Sequence, residues 1–70
     1  GNMLYTIEID SSDQMNELEK KKSLIHFYMD KKNKVYSYRL VFSSREDLIS
    51  FQHSIKDDKR IISVRADMQS

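Results

Sequence analysis

The chain has 70 residues, a third of them charged, with a formal net charge of +1, no cysteine, no proline and one glycine, Gly1. That length holds one domain with a small core, and the near-even charge balance excludes a global pull toward nucleic acid or membrane. Without cysteine there is no disulfide, thiolate metal site or thiol nucleophile, which fits a reducing, cytoplasmic setting, and without an internal glycine there is no Gly-rich phosphate loop. No apolar run approaches the roughly 18 residues a membrane helix needs, so no direct membrane insertion is expected.

Gly1 and Asn2 ahead of Met3 read as a cloning remnant; one domain is expected over 3–67, with a frayed tail over 68–70. Met3 to Ile9 alternates, with Tyr5, Ile7 and Ile9 on one face and Leu4, Thr6 and Glu8 on the other, which predicts a first strand. Ser11 and Gln14 have the spacing of a capping box, and Glu17 and Lys21 that of a favourable helical ion pair. The helix they predict offers a core only Met15 and Leu18, so it is the weakest element and could shrink to a single turn or a loop. Leu24 to Met29 predicts a second strand, with Ile25, Phe27 and Met29 facing in. Asp30 to Lys34 is a hairpin loop in which Asn33 is the natural residue for a left-handed position.

The strongest unit follows. Val35 to Phe42 alternates, placing Tyr36, Tyr38, Leu40 and Phe42 on one face. Leu48, Phe51 and Ile55 then recur at helical spacing, with Ser44 and Asp47 set as a cap. Asp57 to Lys59 makes a turn, and Arg60 to Ala66 predicts a last strand with Ile62, Val64 and Ala66 facing in. The order β-α-β-β-α-β predicts an α+β, ferredoxin-like two-layer sandwich: a four-stranded antiparallel sheet with two helices on one face.

That order leaves one sheet face open. Leu4, Leu24, Tyr28, Val35, Val41 and Ile61 are expected there, a large apolar surface for free water. Glu8 is expected between Arg39 and Arg65, where opposite charges across strands are favourable. Those six apolar residues with Arg39 and Arg65 form the candidate partner-binding surface, together with the edge strands, for a protein partner or a second copy.

Chemistry is sparse. His26 and His53 lack any zinc-type spacing and read as surface residues, the serines fall at caps, turns and strand faces, and Asp57-Asp58 reads as a turn. No catalytic residue, metal site or cofactor is expected. Charge is unevenly spread: residues 1–19 carry five acids and no base, and residues 20–39 seven bases and one acid. Lys20, Lys21, Lys22, Lys31, Lys32 and Lys34 with Arg39 therefore form the alternative, a nucleic-acid surface. The two lysine clusters flank a strand of about 20 Å, too far apart for one compact patch.

Two resemblances bear on this choice. Phe42-Ser-Ser-Arg-Glu-Asp47 resembles the third-strand-to-second-helix junction of RNA-recognition motifs, though the positions matching the base-stacking aromatics of that family hold Ser37 and Arg39. Leu48-x-x-Phe51-x-x-x-Ile55 followed by Asp57-Asp58-Lys59-Arg60-Ile61-Ile62-Ser63-Val64 is similar to the last helix and strand of ACT-type regulatory domains. These include the ACT-like cytoplasmic domains of MgtC/SapB-type membrane proteins. This resemblance implies a ferredoxin-like fold, pairing through strands or sheet faces, and a regulatory binding role. Ser11-Ser12-Asp13 stands where many ACT domains have the glycine-containing loop that holds amino acids.

Overall fold

The structure is a computed structural model in which residues 4–68 are described. The expected cloning remnant Gly1 and Asn2, with Met3, and the tail residues Gln69 and Ser70 lie outside them. The elements run β1 (Tyr5–Ser11), α1 (Asn16–Glu19), β2 (Leu24–Asp30), β3 (Val35–Phe42), α2 (Arg45–Ile55) and β4 (Ile61–Asp67). The strands form one antiparallel sheet in the order β2-β3-β1-β4. This is the α+β, ferredoxin-like sandwich that the changes of period predict.

Alternation in the two middle strands builds the core. Ile7 and Ile9 of β1 lie opposite Leu40 and Tyr38 of β3, and all four are buried. The helix layer adds Met15, Leu18, Leu48, Phe51 and Ile55, the five residues expected from spacing. α2 starts where its cap is written: Ser44 is extended, and its Oγ accepts from the Asp47 N–H at 3.3 Å.

The edge strands depart from strict alternation. Pairing in β2 steps from Leu24 opposite Leu40 to His26 opposite Arg39, and in β4 from Ile61 opposite Ser11 to Ser63 opposite Asp10. Each edge strand therefore carries one extra residue, Ile25 or Ile62. A bulge shifts the alternation by one place. Leu24 and Ile61, expected on the open face, pack against the core instead, while Ile25 and Ile62, expected inside, are 55% and 58% exposed. Met68, expected in a frayed tail, also packs against the core.

α1 is a single turn, and its expected cap does not form. Ser11 is buried at the end of β1 and its Oγ donates to the Asp13 carbonyl at 2.7 Å. Met15 stands at the N-cap position without a side-chain cap. Its N–H donates instead to the Tyr38 hydroxyl at 2.9 Å, and that hydroxyl donates to Glu19 Oε2 at 2.9 Å. One phenol on the central strand thus holds both ends of α1. The turn ends before the lysines, so Glu17 pairs with Arg60 rather than Lys21, and the Lys21 ammonium lies 5.5 Å from the centre of the Phe51 ring.

The β2–β3 loop also differs from expectation. Lys34, not Asn33, takes positive φ, at 56°. Asn33 is engaged elsewhere: its N–H and Nδ2 both donate to the Asp30 carboxylate, which also accepts from the Lys32 N–H.

Tyr38→Phe keeps the ring and removes the hydroxyl, leaving the buried Met15 N–H without an acceptor. The expected loss is about 1–3 kcal/mol, at least roughly 4 °C of melting temperature in a domain of this size, measured by thermal denaturation followed by circular dichroism.

Candidate interaction surface

The open face of the sheet is polar at its centre. Glu8 on β1 lies opposite Arg39 on β3 and Arg65 on β4 and pairs with both, with Arg65 at 2.5 Å. This is the arrangement expected from strand order and alternation. The Arg39 hydrogen bond, then that of Arg65, holds the Glu8 carboxyl below its usual range. One step along β1, Asp10 accepts from Ser37 Oγ at 2.7 Å and from Ser63 Oγ at 3.4 Å. His26 and Tyr28 border these groups around a hollow of about 320 Å³.

The expected apolar open face is correspondingly reduced. Leu24 and Ile61 have left it for the core. Tyr28 is exposed, Val35 and Val41 are half-buried, and Leu4 precedes β1. Arg39 and Arg65 are engaged with Glu8.

The larger apolar exposure is on β2, and on both of its faces. The one-turn α1 leaves the helix-side residues Phe27 and Met29 exposed at 41% and 38%. Phe27 stacks on Tyr38 with ring centres 5.0 Å apart. Tyr28, facing the other way, is 57% exposed. Every residue from Ile25 to Met29 is exposed, on a strand whose only neighbour among the described residues is β3. Ile25, Phe27 and Met29 were expected in the core; the bulge turns Ile25 out. The exposure of Phe27 and Met29 has a trace in the sequence: Met15 and Leu18 alone cannot cover a seven-residue strand.

The six lysines of the alternative surface are all exposed, in two groups. Lys20, Lys21 and Lys22 precede β2; Lys31, Lys32 and Lys34 follow it. The seven residues of β2 hold them about 23 Å apart along the strand. The structure does not bring them into one patch.

A second ionic cluster ties the helix layer together. Arg60, before β4, reaches Asp58 at 2.7 Å and Glu17 of α1 at 2.5 Å. The Arg60 side chain, then its backbone N–H, pulls the Asp58 carboxyl down to about 2, and Arg60 also lowers Glu17. Burial, with the Glu19 carboxylate adding to it, pushes the Tyr38 phenol up to about 12. Among the described residues no group of three or more His, Asp or Glu side chains is placed to hold a metal ion. Nor is any helix among them long and apolar enough to cross a membrane.

No family model matches the chain, and no curated protein or solved structure matches it either.

The carboxylates of Asp58, Glu17 and Glu8 all have folded values below their ordinary 3.8 or 4.5. Their contribution to stability is complete above those ordinary values and is lost as the pH falls through the folded ones. The melting temperature should therefore fall between about pH 4.5 and pH 2. Arg60→Ala, which frees Asp58 and Glu17, should make that fall shallower, as a series of melts across this range will show.

Proposed function

We propose that the chain is a non-catalytic interaction module of regulatory type that binds another polypeptide along β2. The observation that carries this reading is the run Ile25–Met29, exposed at every residue on an edge strand. A polypeptide lying beside β2 extends the sheet by main-chain hydrogen bonds, while side chains on the two strand faces select the sequence. The apolar groups Ile25, Phe27, Tyr28 and Met29 would then leave water in the complex. The open face is a weaker candidate because its charged groups already satisfy one another. The ACT-type resemblance of α2 and β4 agrees with a module that pairs through strands. The absence of cysteine agrees with a cytoplasmic setting.

The second reading is binding of single-stranded nucleic acid, favoured by two exposed aromatics, Phe27 and Tyr28, between two lysine clusters. Such binding falls steeply with salt. It is the weaker reading because the two aromatics point to opposite faces of the strand and form no common stacking platform.

The test is selection of peptides from a random display library on the purified chain, with the site mapped by backbone amide shifts. The expected result is a family of extended peptides that shift β2 and β3 amides and lose binding on Ile25→Lys combined with Met29→Lys, while Arg65→Ala leaves binding intact. Shifts centred on Glu8, Arg39 and Arg65, or no selectable peptide, would contradict it.

A further inference from the structure

Resting on that reading, we infer that the partner strand is a segment with an apolar centre and acidic residues at both ends, not a second copy of this chain. The argument is from what surrounds β2. The strand itself, Leu24–Asp30, contains no lysine or arginine. Lysines that guard an edge against unwanted pairing usually sit on the strand. Here three stand just before it and three just after it, all exposed, beside an apolar stretch left clear.

A second copy meets these charges badly in either direction. With two β2 strands antiparallel about Phe27, the Lys20–Lys22 cluster of one copy lies at the same end as Lys31, Lys32 and Lys34 of the other. In parallel pairing each lysine cluster lies beside its own counterpart. Like charges directly across a strand pair are destabilising. Both registers place three lysines of each copy at a shared end. The same lysines that discourage self-pairing favour acidic ends on a foreign strand, so attraction and rejection come from one set of residues. Between the clusters a strand of β2's length needs an apolar core that meets Ile25, Phe27 and Met29.

Lys21 is partly engaged over the Phe51 ring, and Lys34 occupies the positive-φ position of the loop. Lys22 and Lys32 are therefore the residues to change without disturbing the fold. The probe is a synthetic peptide with a Val- and Ile-rich core and glutamates at both ends, compared with the same core flanked by serines or by lysines. Binding is read by fluorescence anisotropy at low and high salt, and the site by amide shifts.

The glutamate-flanked peptide should bind about tenfold more tightly than the serine-flanked one at low salt, a ratio that several exposed ion pairs supply together, and the advantage should shrink in high salt. The lysine-flanked peptide should bind more weakly than either. Lys22→Glu combined with Lys32→Glu should reverse the order of the two charged peptides. Equal binding of all three at β2 would overturn the acidic-partner inference and leave the edge-strand reading standing. Absence of β2 shifts with every peptide would sink the reading itself. A concentration-dependent dimer in sedimentation velocity, disrupted by Ile25→Lys, would assign the edge to a second copy. Tighter binding of a labelled single-stranded oligonucleotide to the same lysines would assign them to nucleic acid. Either result would overturn the inference.

Discussion

The hydrogen bonds of one buried phenol set the shape of the helix layer. Tyr38 sits on the central strand β3 with its ring in the core. Its hydroxyl accepts the Met15 N–H and donates to Glu19, and so fixes α1 where no side chain of α1's own N-cap does so. Buried polar groups are expensive unless paired, and here the pairing is complete at both ends of one helical turn. The two partners, Met15 and Glu19, bracket the single turn of α1. Arg60 adds a second tie by joining Glu17 to Asp58 across the layer.

The consequence lies at the sheet edge. α2 offers Leu48, Phe51 and Ile55 and covers its part of the sheet well. α1 reaches β2 but offers only Met15 and Leu18 to the core, too little to cover the strand. β2 is left with Phe27 resting on Tyr38 and with Met29 and Tyr28 in water. The residue that secures the helix thus also supports the exposed aromatic on the edge. An apolar, two-sided edge strand invites promiscuous pairing. The bulge at Ile25 and the lysines at both ends limit which strands can join it.

Much of this fold is written locally. Val35–Phe42 alternates without interruption, and Leu48, Phe51 and Ile55 with the Ser44 cap mark α2 before any contact is known. Strand order and alternation together are enough to place Glu8 between Arg39 and Arg65. The two bulges are different. An extra residue in a strand leaves no compositional mark, so Leu24, Ile25, Ile61 and Ile62 are each assigned to the wrong side by simple alternation. The role of Tyr38 is non-local, since its partners lie about twenty residues away in sequence, and the false cap at Ser11 follows from the same competition. Asn33 has the chemistry for a left-handed residue, but the Asp30 carboxylate claims its donors and moves that conformation to Lys34. For the interaction surface, the lysine clusters and the edge strands are legible. The exposure of Phe27 and Met29 is legible only by weighing α1's two apolar residues against the length of the strand beneath it.

The most direct test of an uncovered β2 is residue-by-residue amide hydrogen exchange on the free chain at low concentration. An open edge predicts a period-two pattern between Ile25 and Met29. Amides bonded to β3 should be protected, and those pointing outward should exchange at nearly the rate of an unstructured peptide, while β1 and β3 are protected throughout. Uniform protection along β2 would mean that its outer side is already paired or covered, and would contradict the reading of β2 as the binding edge.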